Sequence, residues 1–161
     1  MLKCVIGLMS GTSMDGVDAA YLKTNGIDFI ETGMAITLPY SDSFRNELSE
    51  VVSKGLYSKN VESQITNIHA DAVKHLIEKN GDSRDFVDLI GFSGHTIFHI
   101  PDEKKTLQIG DGAMLADLTG IDVVSDFRSN DLINGGQGAP LAPVYHQVLA
   151  TKLKKPVGII N

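Results

Sequence analysis

The sequence predicts a mixed α/β domain. Three observations support this. Three short apolar runs follow one another at the N-terminus with an Asn-Gly pair between the second and third. A long amphipathic stripe comes next. After it, apolar runs of strand length alternate with short helical segments and clusters of glycine. The length of 161 residues suits one ordinary domain or one half of a two-domain protein. With 42% apolar and 21% charged residues the chain reads as a soluble globule rather than a disordered one.

The elements follow in order. Cys4 to Met9 is a buried strand closed by Ser10-Gly11. Val17 to Leu22 and Ile27 to Leu38 are the next two, joined by a tight turn at Thr24-Asn25-Gly26, so the chain opens with three antiparallel strands. Asp42 or Ser43 caps a helix carrying Phe44, Leu48, Val51 and Val52 that stops near Gly55. From Asn60 to Lys79, the residues Val61, Ile65, Ile68, Ala72, Leu76 and Ile77 recur at helical spacing and Asn80-Gly81 ends the stripe. His69 and His75 lie six apart on that helix, which suits surface or boundary positions better than a ligand pair. Phe86 to Phe92 is a strand broken by Ser93-Gly94, with extended structure resuming over Thr96–Ile100. Leu107–Ile109 is a short strand, Gly112–Leu118 a short helix with Gly120 as its left-handed cap, and Ile121–Val124 another buried strand. A loop over Ser125–Pro140 leads to a helix near Leu141–Leu153, and Pro156 to Ile160 reads as the opening of a further strand.

Composition narrows the function. A formal net charge of −6 argues against a polyanion-binding surface, and so against nucleic acid as a partner, although a small phosphate pocket built from backbone amides needs no net positive charge. The single cysteine, Cys4, supports neither an internal disulfide nor a Cys-rich zinc site. No apolar run reaches the roughly 18 residues of a membrane span, and Lys3 precedes only a short run that soon turns polar, unlike a signal peptide. A cytoplasmic location is the expectation.

Four segments carry residues suited to chemistry. Gly11, Thr12, Ser13, Met14, Asp15, Gly16, Val17 and Asp18 lie between the first two strands. Backbone N–H groups and hydroxyls in such a turn can converge on phosphate oxygens, and Asp15 or Asp18 can hold a magnesium ion. The alternative is an ordinary hairpin loop, and neither G-x-x-x-x-G-K-[ST] nor G-x-G-x-x-G is present. In the second segment, Gly91 to His99, glycine is missing two positions after Ser93, so no hydrolase elbow forms. His95 and His99 share a face of a continuous strand, as a metal pair without a third ligand or as two histidines flanking a core strand. In the third, Asp126, Arg128 and Asp131 follow a strand, where α/β clefts open, either facing a ligand or as a local ion pair organising a loop. The fourth runs from Asn134 through Gln137 and Pro140 to Pro143, a glycine-rich turn before a helix, and reads equally as a ligand-facing helix start or as a plain loop and cap.

Taken together, Gly-Leu-Met-Ser-Gly-Thr-Ser-Met-Asp-Gly-Val-Asp from Gly7, Thr-Leu-Gln-Ile-Gly-Asp from Thr106, Asp-Phe-Arg-x-x-Asp from Asp126 and Gly-Gly-Gln-Gly-Ala-Pro-Leu-x-Pro from Gly135 resemble the anhydro-N-acetylmuramic acid kinases, in order and over nearly the whole chain. The resemblance implies an actin-like, ribonuclease H-like ATPase lobe. It implies a reaction in which ATP and magnesium open the 1,6-anhydro ring of anhydro-N-acetylmuramate with water and phosphorylate the 6-hydroxyl, giving N-acetylmuramate 6-phosphate for cell-wall recycling. It implies that Gly11–Asp18 is the ATP phosphate loop and that His95, Asp126, Arg128, Asp131 and Gln137 face the amino sugar. The family's general-base aspartate lies in an Asp-x-Gly-Pro-Gly-Asn stretch of a second half with no counterpart up to Asn161, so no catalytic residue is assigned and no metal ligand is settled. On this reading residues 1–155 form the first lobe and 156–161 begin a second, and the chain alone is expected to lack turnover. A second-half chain or a homodimer partner would complete it. The competing reading is a non-catalytic half that binds a partner or ligand without turnover. One departure is local: where the family commonly has His-Gly-Gln-Thr, this chain has Ser93-Gly94-His95-Thr96.

Overall fold

A computed structural model describes residues 1–151, 153, 154 and 156–158 of the chain. Strands β1 (Lys3–Ser10), β2 (Gly16–Thr24) and β3 (Ile30–Pro39) come first. Helices α1 (Asp42–Lys54) and α2 (Lys59–Asn80) follow, then strands β4 (Leu89–Ile100) and β5 (Lys105–Ile109), helix α3 (Gly112–Thr119) and strand β6 (Val123–Ser125). Two short helices, α4 (Ser129–Ile133) and α5 (Ala142–Ala150), close the order. The sheet runs β3-β2-β1-β4-β5, with β6 also paired to β4. β1 is antiparallel to β2 and β2 to β3, whereas β1, β4 and β6 are mutually parallel. This is the mixed sheet with flanking helices that the sequence predicts.

One sheet face carries the core. Ile6 and Leu8 of β1, Val17, Ala19 and Tyr21 of β2, and Ile90 and Phe92 of β4 alternate inward and pack on Leu48, Val61, Ile65, Leu76 and Leu115 of the helices. The opposite face is lined by small and apolar residues, among them Gly7, Ala20, Ala35 and Gly91. It forms a groove of about 540 Å³ that Phe127 and Tyr145 also border. None of the described helices is long and apolar enough to cross a membrane.

Several elements differ from the sequence expectation, each for a local reason. The turn after β2 is wider than an Asn-Gly hairpin, because Asn25 Oδ1 accepts from the amides of Ile27, Asp28 and Phe29 and delays β3 to Ile30. The cap of α1 is Ser41 rather than Asp42 or Ser43; its hydroxyl accepts from Phe44 N. His69 is fully buried instead of lying at the boundary, since its Nδ1 donates to Ile65 O one turn back while its ring meets Phe92 edge-on at 4.9 Å. β4 does not break at Ser93-Gly94. Gly94 takes φ +64, its pairing with β1 shifts register there, and the strand continues to Ile100. β6 begins only at Val123 and is largely exposed, and α4 stands inside the expected Ser125–Pro140 loop. No strand forms over 156–158, and the remainder of the expected final strand, Ile159 and Ile160, lies outside the described residues.

Candidate functional site

The parallel strands β1, β4 and β6 direct two polar regions to the same end of the sheet. The first follows β1. Gly11 O accepts from Met14 N at 3.0 Å, so Gly11–Met14 is a tight turn with Met14 at φ +53, and Arg45 Nε of α1 donates to Met14 O at 3.0 Å. Asp15 O accepts from Tyr40 N, which fastens the other end of the loop to the exit of β3. Thr12, Ser13 and Asp15 are exposed, and among the described residues the Thr12 and Ser13 amides donate to no protein acceptor. Ser13 Oγ donates to Asp15 Oδ1 at 2.6 Å, and that bond, with backbone amides, holds the Asp15 carboxyl below the usual carboxylate range. Asp18 lies two residues into β2 and accepts from Thr37 Oγ1 across the strand pair.

The loop's two glycines have different causes. A Cβ on Gly11 would meet only Ser13, its Oγ at 3.4 Å and its N at 4.0 Å, both ordinary van der Waals contacts, so nothing in the protein forbids a side chain there. A Cβ on Gly16 would run into Leu38 O and lie 2.9 Å from Pro39 Cα. Gly16 is thus required by strand pairing, and Val17 beside it is a core residue.

The second region is a pocket of about 210 Å³ lined by residues that include Ser93 and Gly94 of β4, Gln108 of β5, Ser125 at the end of β6, and Asp126 and Ser129 beyond it. Asp126 at φ +54 turns back to accept from both the amide and the hydroxyl of Ser129. Gln108 donates to Thr106 Oγ1 at 2.7 Å and Thr96 Oγ1 at 3.4 Å, which sets the amide against the pocket wall. The Gly110-Asp111 turn below it is fixed by α2: Thr66 Oγ1 accepts from Asp111 N at 3.0 Å and Asp111 caps α3 through Met114 N at 2.9 Å.

Arg128 and Asp131 sit beside this pocket and do other work. Arg128 Nη1 donates to Gly138 O at 3.3 Å, and Asp131 Oδ2 accepts from Gly138 N at 2.7 Å. Together they clamp the Gly135–Gly138 turn. Among the described residues Arg128 forms no ion pair with Asp126 or Asp131. The local ion pair, one of the two sequence readings, is therefore replaced by two bonds to one residue, Gly138, because the turn folds back onto α4. Gln137 is exposed at its tip.

His95 is fully buried and is absent from the pocket lining; its Nδ1 lies 2.9 Å from Ser10 Oγ, and burial holds its pKa low. His99 instead bonds Thr106 Oγ1 at 3.1 Å, so the two histidines serve separate partners rather than one metal. Among the described residues no group of three His, Cys, Asp or Glu side chains is placed to hold a metal ion. Ser10 and Tyr40 were not singled out by sequence reasoning; a serine at a strand end and a tyrosine after a proline carry no signal that they meet.

Comparison with known proteins agrees with the motifs. The family model for anhydro-N-acetylmuramic acid kinase matches residues 3–161. A relative of that name from Paramagnetospirillum magneticum is 49% identical over 97% of this chain and 44% of its own length. One from Rhizobium etli is 44% identical over 96% of this chain and 45% of its own length. A third, from Brucella canis, is 44% identical over 99% of this chain and 47% of its own length. The chain thus spans somewhat less than half the length of the curated relatives it matches.

Proposed function

Because the chain belongs to the anhydro-N-acetylmuramic acid kinase family, we propose that it supplies the phosphate-binding lobe of an ATP-dependent anhydro-sugar kinase. One observation carries this reading: the turn with free amides after β1 and the hydroxyl- and amide-lined pocket beyond β4 and β6 lie at the same end of three parallel strands, where ligands of α/β sheets bind. Gly11 to Gly16 would take the ATP phosphates through the Thr12 and Ser13 amides and hydroxyls. Ser93, Gln108, Asp126 and Ser129 would receive the amino sugar, and Arg128 and Asp131 would hold the Gly135–Gly138 turn with Gln137 at its rim.

The donor set suits magnesium. Asp15 and Asp18 offer hard oxygen ligands at the loop, and a magnesium ion bound to nucleotide takes one or two carboxylates with phosphate oxygens and water, so it needs no cage made wholly of protein. When bound, magnesium would neutralise charge developing on the transferred phosphoryl group. The residues of this chain position the phosphates and the sugar. Opening the anhydro ring also requires a base to activate water. By family resemblance that aspartate belongs to the part of the relatives that this chain does not span. A chain acting alone would then bind without turnover, and a second-half chain or a partner copy would complete the site.

Titrating the chain with anhydro-N-acetylmuramate while following amide chemical shifts tests the sugar assignment. Shifts concentrated at Ser93, Gly94, Gln108, Asp126 and Ser129 are expected. Saturable shifts that spare all five would contradict it.

A further inference from the structure

Beneath the phosphate loop the apolar core is interrupted by a chain of polar side chains. Ser10 Oγ lies 2.6 Å from Tyr40 Oη and 2.9 Å from His95 Nδ1, with Ser10, Tyr40 and His95 each no more than 5% exposed. Burial pushes the Tyr40 hydroxyl up to about 12 and holds His95 neutral, so the network is made of uncharged groups. Its three members come from three elements. Ser10 ends β1 and immediately precedes Gly11, Tyr40 follows β3 and donates its own amide to Asp15 O, and His95 follows the Gly94 bulge in β4. Both ends of the loop and the wall of the pocket are thereby tied to one serine hydroxyl.

We propose that Ser10, clamped by Tyr40 and His95, is a positioning residue that fixes the loop Gly11–Gly16 relative to the pocket strand β4. A buried polar group is costly unless bonded. The Ser10 and Tyr40 hydroxyls and His95 Nδ1 reach one another only when β1, β4 and the exit of β3 are in register, while His95 Nε2 has no partner among the described residues. The bulge at Gly94 makes this possible: the β1–β4 pairing shifts between Leu8↔Phe92 and Ser10↔His95, which brings the imidazole opposite the serine. His95 therefore acts through Ser10 and does not touch the sugar. This rests on the phosphate-loop reading above, but the clamp itself can be measured without nucleotide.

The test uses the chain with Ser10→Ala, Tyr40→Phe and the double substitution. It reads hydrogen exchange of the Met14 and Tyr40 amides, which bond Gly11 O and Asp15 O at the two ends of the loop, against that of α2 over Val61–Leu76, together with Mg-ATP affinity by calorimetry. Loop exchange is expected to rise about tenfold in either single variant, the loss of roughly one net hydrogen bond. It should rise no further in the double variant and should leave α2 within about twofold, while Mg-ATP binding weakens in parallel. Should Ser10→Ala fail to fold, Tyr40→Phe, which removes one oxygen, carries the comparison. Loop exchange unchanged in Tyr40→Phe, a rise shared equally by α2, or fully additive effects would each overturn the clamp. A loop that responds as expected in a chain that binds no Mg-ATP would uphold the clamp and sink the nucleotide reading instead.

Discussion

Gly11 and Gly16 separate two roles within one loop. A Cβ on Gly16 collides with the backbone of β3, so Gly16→Val should cost about 1–3 kcal/mol as overpacking does and lower Tm by several degrees. Gly11→Val meets no such obstacle, so its Tm should stay near wild type while close approach of phosphates is blocked and Mg-ATP affinity falls. Thermal melts paired with Mg-ATP titration check both; a Gly11→Val protein that melts early with unchanged affinity would reverse the assignment. The buried histidines add a pH dependence. Burial pushes His69 down to about 4 and holds His95 low as well, against about 6.5 in an unfolded chain. Between those values the unfolded chain binds more protons than the folded one. Stability is thus full above pH 6.5 and is lost as pH falls toward 4. His69 alone accounts for about 2 kcal/mol between pH 7 and pH 5. Urea melts across that range should show the loss, and His69→Leu should flatten it.

At the scale of elements, β4 carries the most constraint. Gly94 sits at φ +64 with Ile109 O only 2.6 Å from where a Cβ would be, so it is fixed both by its backbone conformation and by the neighbouring strand. Gly94→Ala should therefore destabilise the β4–β5 pair and disturb the pocket at Gln108, seen as lowered Tm together with shifted Gln108 and Ser93 amides. The turn over Gly135–Gly138 is held differently. Asp131→Asn exchanges a carboxylate for a neutral acceptor at Gly138 N and should cost at most about 1 kcal/mol. Apolar spacing made α2 legible, and the glycines after α1, α2 and α3 marked their left-handed caps at Gly55, Gly81 and Gly120. The continuation of β4 was not legible, because a bulge glycine and a strand-breaking glycine look alike until the partner strand is known. Helix α4 was hidden for a similar reason: its five residues show no full period, and it is stabilised by the fold-back of Gly135–Gly138 rather than by an apolar stripe.

For the whole molecule, the order of motifs in the sequence mirrors their convergence at one end of the sheet. Gly11–Asp18 and Asp126–Asp131 lie more than a hundred residues apart in sequence, yet parallel pairing of β1, β4 and β6 directs both to the same side. That meeting is legible in the sequence only through family resemblance; the register that puts His95 under Ser10 depends on a bulge that no residue pattern marks. The role proposed for this lobe is phosphate and sugar binding in anhydro-sugar kinase chemistry. The most direct measurement grafts residues 3–161 in place of the matched part of the Paramagnetospirillum magneticum relative and follows ADP release. Release that depends on anhydro-N-acetylmuramate and falls at least about a hundredfold on Gly11→Val, as loss of phosphate positioning requires, is the predicted result. A folded graft that releases no sugar-dependent ADP, or one indifferent to Gly11→Val, would contradict the account.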